Sequence, residues 1–255
     1  MTEPLFEGVG VALVTLFNDD GSLDAKATAD LACRLVEAGV RGVIVAGTTG
    51  EAASLDAAER AELVSVTREA LAGAAPVLCG TGAASLRQAL AFTDAALGAG
   101  AEAVLALSPA GSVGLERYYA SLAERCGPVP LLAYHFPGAS LPGIPLATLR
   151  ELPVAGVKDS SGDAERLLET VTTWDQHVYT GSSALLSYAG PLGCRGAILA
   201  LANAEPEGCV AAFAGDPAAQ RAIAEAHKAS RASFPRAIKE LTARRFQTSQ
   251  VSRIG

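Results

Sequence analysis

Cationic clusters are missing from this chain. Its 20 Lys and Arg are scattered among 27 Asp and Glu, giving a formal net charge of −7. The densest basic run is Ala243-Arg244-Arg245. Nothing supplies the basic stripe that a phosphate backbone requires, which sets nucleic acid aside as a partner. Cysteine is sparse and unpatterned: Cys33, Cys79, Cys126, Cys194 and Cys209 form no C-x-x-C pair and no Cys/His metal spacing, so they read as reduced thiols. Long apolar runs are absent too. The stretch 42–47 falls far short of the ~20 residues a bilayer demands, and Met1-Thr2-Glu3-Pro4-Leu5 lacks the basic-then-apolar layout of a signal peptide. A soluble cytoplasmic protein with no membrane partner is the expectation. Charge is also low, at 18% of residues against 50% hydrophobic, which disfavours disorder and coiled coil and calls for a sizeable core.

What is present is an alternation. Short apolar, β-branched runs recur at 9–14, 42–46, 76–79, 103–107, 130–134, 155–158, 177–180 and 196–200, with helical stretches between them. Most of these runs are apolar on both faces, as expected of parallel strands covered by helices. The intervening stretches 24–38, 55–71, 85–97 and 115–125 stop at Gly39, Gly73, Gly98 and Gly127, the glycine signal of a helix C-terminus. Asp56, Ser85 and Asp163 fit the N-cap preference. Eight β-then-α units in ~250 residues predict an α/β fold, a (β/α)8 TIM barrel over residues 1–215. A short C-terminal helical extension follows over 216–255. Its last residues, 247–255, show no pattern, which leaves them open to disorder. A doubly wound open sheet is the alternative, weakened by the lack of G-x-G-x-x-G after the first strand.

In such a barrel the active site forms where strands end, and four ends carry polar residues on one face. The second strand leads into Gly47-Thr48-Thr49-Gly50-Glu51 and the fifth into Tyr134-His135-Phe136-Pro137. The sixth leads into Lys158-Asp159-Ser160-Ser161-Gly162, the seventh into Gly181-Ser182-Ser183. Of the four lysines, Lys26, Lys228 and Lys239 sit in polar or helical contexts that suit a solvated charge, whereas Lys158 closes an apolar strand. Desolvation favours the uncharged form of a lysine, and a free amine facing a cavity is what Schiff-base formation requires. A structural ion pair with Asp159 or a snorkelling side chain is the bland alternative, although alternation puts consecutive strand residues on opposite faces. The loop 47–50 could hold a carboxylate or phosphate on its N–H groups, or be an ordinary βα turn. Tyr134 offers a relay phenol or simply a satisfied buried hydroxyl. His135 points away from Tyr134 and reads as structural. His177 and His227 have no partner at metal-ligand spacing.

Together, Gly47-Thr48-Thr49-Gly50-Glu51, Tyr134-x-x-Pro137 and Gly156-Val157-Lys158-Asp159-x-Ser161-Gly162 resemble the dihydrodipicolinate synthase / N-acetylneuraminate lyase family of class I pyruvate-dependent aldolases, in order and in spacing. Thr15-x-Phe17, Gly181-Ser182, Gly196-Ala197-Ile198, Asn203 and Pro206 agree with it. The resemblance implies that Lys158 forms the imine with a 2-oxo acid. It implies that Gly47, Thr48 and Thr49 bind the carboxylate, that Tyr134, polarised by Thr48, shuttles protons, and that Gly181 and Ile198 line the pyruvate pocket. No metal or other cofactor is implied, and assembly into a homodimer or homotetramer is the expectation.

Two departures bear on the substrate. The lysine-biosynthetic synthases carry a relay tyrosine pair after the fourth strand, where this chain has Ala110-Gly111, and an arginine past the fifth-strand proline, where it has Gly138-Ala139-Ser140. Tyr118 and Tyr119 are the nearest tyrosines that could replace the relay, and Arg117 and Arg150 the nearest arginines. Small residues at these places resemble the 2-keto-3-deoxy-sugar-acid aldolases. The synthase condensing pyruvate with aspartate semialdehyde is one alternative, a 2-oxo-acid-binding barrel without efficient turnover the other.

Overall fold

The computed structural model describes residues 3–112 and 114–254. Eight parallel strands, β1 (Gly8–Ala12), β2 (Gly42–Val45), β3 (Val77–Gly80), β4 (Ala103–Leu107), β5 (Leu131–His135), β6 (Gly156–Asp159), β7 (His177–Thr180) and β8 (Gly196–Leu199), close into a barrel. Closure is made by β8 against β1, with Val9 opposite Ala197 and Val11 opposite Leu199, which removes the open-sheet alternative. Strand bounds match the apolar runs within a residue, apart from β1. The Leu13 amide still donates to the Ile44 carbonyl of β2 at 2.9 Å, and beyond it the Val14 amide donates to the Asn203 side chain at 3.0 Å instead of to a neighbouring strand.

Alternation along the strands sorts the core. Inward residues such as Ile44, Leu78, Leu105, Leu132, Tyr179 and Ile198 fill the barrel. Outward residues pack against the helices in two clusters, one around β1–β3 and β8, the other around β4–β7. The floor is plugged by Phe6, whose ring lies 5.0 Å from that of Tyr179. Gly10 and Gly42 make room for it: a Cβ on either would meet the Phe6 ring at 2.6 and 2.5 Å.

The helices facing the strands are α1 (Ala25–Glu37), α2 (Ala57–Leu71), α3 (Leu86–Gly98), α4 (Leu115–Cys126), α5 (Leu146–Glu151), α6 (Ala164–Thr173), α7 (Leu186–Leu192) and α8 (Pro206–Phe213). Asp56, Ser85 and Asp163 each accept a hydrogen bond from the first turn of the helix that follows, Asp56 within a full capping box with Glu59. One stop signal lies elsewhere than expected. Gly98 is the last residue of α3, and the left-handed turn falls on Gly100, φ +87°.

The extension is three helices, α9 (Pro217–Ala222), α10 (Ala224–Ser230) and α11 (Arg236–Phe246). Residues 247–254 form neither helix nor strand, yet they run back over the barrel mouth under a dense set of bonds. Ser249 donates to the Phe17 carbonyl at 2.7 Å, and Arg253 donates to the Gly21 carbonyl at 2.7 Å and to Glu59 at 2.7 Å. Composition carries no trace of this because the partners are backbone atoms and distant side chains. No helix among the described residues is long and apolar enough to cross a membrane.

Candidate active site

Lys158 and Tyr134 are paired across β6 and β5, which puts both side chains inside the barrel at one level. The Lys158 Nζ stands 4.2 Å from the Tyr134 ring centroid, and Phe136 stacks on the other ring at 5.8 Å, 18° from parallel. Both residues are 5% exposed. Among the described residues Lys158 joins no ion pair; the Asp159 carboxylate faces outward and takes Arg166 Nε at 2.8 Å instead. That outward layer fixes the strand ends. Asp159 also accepts from the Ser161 amide at 2.8 Å, Arg166 donates to the Ile144 carbonyl at 2.9 Å, and the Ile144 amide donates to His135 Nδ1 at 2.8 Å. Burial pushes the His135 imidazole below its ordinary pKa, as suits a ring nitrogen that accepts.

Ile198 lies fully buried in the same interior cluster as Tyr134. Gly181, just past β7, donates to the Asp159 carbonyl at 2.6 Å, and a Cβ there would fall 1.8 Å from the Ser160 hydroxyl. Only glycine lets the sixth and seventh loops approach this closely.

Thr48 and Thr49 stand on the β2 loop, opposite β6 in the barrel order. The loop is wound by its own backbone, with the Glu51 amide donating to the Thr48 carbonyl at 3.2 Å and the Ala52 amide to the Gly47 carbonyl at 3.1 Å. The Thr15 hydroxyl donates to the Gly50 carbonyl at 2.7 Å. Thr49 is buried and Thr48 half-buried, the latter on the wall of a cavity of about 480 Å³ that also touches Leu107, Ser108, Ala110, Ala139 and Ile254. Leu107 is the register partner of Tyr134, so this cavity adjoins the barrel interior. Among the described residues the cation that lines it is Arg60, which is fully buried, donates to the Ala46, Gly80 and Ala52 carbonyls and lies over the Phe92 ring. Arg60 is thereby committed to holding backbone.

The profile of the Dihydrodipicolinate synthetase family matches residues 5–254. The chain belongs to this family. Among curated relatives, 4-hydroxy-tetrahydrodipicolinate synthase of Acidithiobacillus ferrooxidans is 34% identical over 233 residues, 86% of this chain and 80% of that protein. An uncharacterised DapA-like lyase of Halobacterium salinarum is 37% identical over 217 residues, 80% of this chain and 70% of its own. The crystal structure of the chloride-inhibited dihydrodipicolinate synthase from Acinetobacter baumannii, complexed with pyruvate, superposes with a TM-score of 0.86 at 30% identity, covering 92% of this chain and 87% of that one. As a member of the dihydrodipicolinate synthetase family, the protein is a lyase of the pyruvate-dependent aldolase class.

Within the family frame, the nearest replacement groups are spent elsewhere. The Tyr119 hydroxyl is fully buried and donates to the Ala106 carbonyl at 2.9 Å, and Tyr118 accepts from the Ala83 amide at 3.3 Å. Burial pushes the Tyr118 phenol up to about 12 and raises that of Tyr119 as well. Arg150 is held by Glu169 at 3.1 Å, and Arg117 is an exposed residue of α4.

A second buried lysine went unread in the sequence. Lys239, expected as a solvated charge, is 1% exposed and forms a fully buried ion pair with Glu51. The signal was its spacing. Lys239 stands three, four and seven residues before the buried Thr242, Ala243 and Phe246, on the apolar stripe of its helix.

Proposed function

We propose that this protein is a class I, Schiff-base-forming aldolase that makes or breaks a carbon–carbon bond through a lysine–pyruvate imine, with a 2-keto-3-deoxy sugar acid as its substrate. The observation that carries the reading is the Lys158–Tyr134 pair: a buried lysine over a phenol ring, inside the barrel, in no ion pair among the described residues, with the neighbouring Asp159 taken by Arg166. Lys158 attacks the C2 carbonyl of the 2-oxo acid, and Tyr134 gives its phenol proton to the departing hydroxyl, so that water leaves and a protonated imine stands beside a phenolate. That imine accepts the electron pair of the C3–C4 bond as it breaks, the C4 hydroxyl proton passes to Tyr134, and an aldehyde departs. Protonation of the enamine at C3 and hydrolysis release pyruvate and restore the lysine. The N–H groups and hydroxyls of Gly47, Thr48 and Thr49 hold the carboxylate across the barrel, while Gly181 and Ile198 bound the pocket. The pyruvate complex of the Acinetobacter baumannii relative supports a 2-oxo acid here.

The sugar-acid assignment rests on what lines the mouth. Ala110, Gly111, Gly138 and Ala139 present no cation to a second carboxylate, and Arg60, Arg117 and Arg150 are engaged or on outer helices. A departing aldehyde that is uncharged and hydroxylated fits this lining better than aspartate semialdehyde does. The deciding experiment is intact-protein mass measurement after borohydride reduction with pyruvate, on wild type and Lys158→Ala, followed by a panel of 2-keto-3-deoxy acids assayed for pyruvate release. An adduct on wild type alone together with pyruvate release supports the reading. Pyruvate-dependent consumption of aspartate semialdehyde, with no release from the panel, would replace it with the synthase named for the Acidithiobacillus relative. An adduct without any turnover would leave a 2-oxo-acid-binding barrel.

A further inference from the structure

The loop that carries Thr48 and Thr49 ends in Glu51, a residue with three unusual properties. It is fully buried, it has left-handed backbone at φ +57°, and its carboxylate gathers four donors from the far end of the chain. The Lys239 ammonium pairs with it, the Arg253 and Ile254 amides donate to Oε2 at 2.8 and 3.0 Å, and the Ser252 hydroxyl donates at 3.0 Å. Lys239 in turn donates to the Val251 carbonyl at 2.6 Å, so the ammonium and the carboxylate grip the same short segment from two sides.

Arg253 closes the arrangement from outside. Its guanidinium donates to Glu59 at 2.7 Å and to the Ser54 carbonyl at 3.2 Å, and it lies 4.4 Å from the Phe17 ring centroid, as does the Lys239 ammonium. Two cations, two carboxylates and one aromatic ring thus tie residues 251–254 to the β2 loop. A left-handed non-glycine residue persists where its surroundings over-determine it, and here they do so one residue from Gly50 and three from Thr48. The Glu51 amide bonds the Thr48 carbonyl, so a shift of Glu51 moves Thr48 with it.

We propose that residues 251–254, with Lys239, form a strap that positions the β2 loop for the carboxylate of the 2-oxo acid. Glu51 is the positioning residue and Arg253 its outer anchor. The inference rests on the reading above, that Thr48 and Thr49 receive that carboxylate. The strap also reaches the ligand side, since Ile254 shares the cavity wall with Thr48. None of these groups touches the reacting atoms; their effect is on where the loop's N–H groups and hydroxyls stand. Displacement of a binding group by about an ångström raises the concentration of ligand needed without removing the nucleophile.

The test is borohydride trapping against pyruvate concentration, read by intact mass, on the full chain. Arg253→Ala is expected to raise the half-saturating pyruvate concentration about tenfold, to leave the trapped fraction at saturation unchanged, and to be restored in part by Arg253→Lys. Glu59→Gln, which keeps the cap of α2 and removes the charge that Arg253 meets, is expected to move the same way by a smaller factor, and it serves should Arg253→Ala fail to fold. Unchanged half-saturation in both variants, beside a wild-type adduct, overturns the strap and leaves the aldolase reading standing. No adduct on wild type at all overturns the aldolase reading, and the strap with it.

Discussion

Two buried lysines, one on β6 and one on α11, make opposite use of the same burial. Lys239 and Lys158 each stand over an aromatic ring, at 4.4 and 4.2 Å, and each is almost sealed from solvent. Lys239 has a carboxylate against it and a carbonyl beyond, every bond directed at holding chain. Lys158 has a phenol, and no ion pair among the described residues. Burial by itself therefore does not mark a reactive amine. The partner decides: a carboxylate occupies the one lysine, whereas a lysine outside any ion pair among the described residues is available to a carbonyl.

The strongest way to break this contrast is to exchange the roles. Lys158→Ala is expected to abolish imine trapping and lower turnover by on the order of 10⁴-fold or more, and Lys158→Arg to rescue neither, since a guanidinium cannot serve as the amine. If borohydride with pyruvate still labels the Lys158→Ala protein, at Lys239 or elsewhere, the contrast between the lysines fails. Tyr134→Phe is expected to retain the imine while slowing turnover by roughly 10²–10⁴-fold, a split visible by comparing trapping with steady-state rates.

On the other side of the comparison, Lys239→Met strands the Glu51 carboxylate in the core. A loss of about 3–5 kcal/mol in urea denaturation is expected, much of it recovered in the double variant Lys239→Met/Glu51→Gln, because a buried pair contributes little net stability although a broken one is costly. A double variant no more stable than the single would mean that the ammonium acts through something other than the carboxylate.

Acid should loosen the strap through its two carboxylates. Burial pushes the Glu51 carboxyl up, but the Lys239 ammonium and the Ile254 and Arg253 amides outweigh it and hold the group below 4.5. The hydrogen bond from Arg253 holds Glu59 below 4.5 as well. A carboxyl lowered in the folded state stabilises the fold above its unfolded pKa, and that contribution is lost as pH falls through the folded value. Stability set by these two groups is expected to be level near neutrality and to decline below about pH 4.5, with a shallower decline in Glu59→Gln, measured by denaturation across pH. Smallest of all, Arg253→Ala should change global stability by under about 1 kcal/mol, the ordinary scale for a partly exposed pair; its effect belongs to pyruvate half-saturation instead.

The same two lysines mark what could be read from sequence and what could not. Strand runs, their order and the polar residues at their ends are local patterns, so the barrel and the inward placing of Lys158 and Tyr134 at its mouth are legible, and the outward Asp159 follows from alternation. The Lys239–Glu51 pair is non-local: a lysine on a helical stripe gives only a hint, and its carboxylate partner belongs to a loop on the other side of the chain's order. Residues 247–254 were illegible for a related reason, because they carry no periodicity of their own and are ordered by what they lean on. The left-handed stop of α3 falls on Gly100 and not on Gly98, since either of two nearby glycines satisfies the pattern and only backbone geometry selects one.

Phe6, seated in the space that Gly10 and Gly42 leave, turns the barrel into a vessel with one door. Traffic in such a vessel is last in, first out. If Lys158 holds the 2-oxo acid, the aldehyde fragment nearer the door must depart first, and pyruvate, released last, should compete directly with incoming substrate while the aldehyde does not. Product-inhibition kinetics read that order of departure, and a noncompetitive pattern for pyruvate would overturn it.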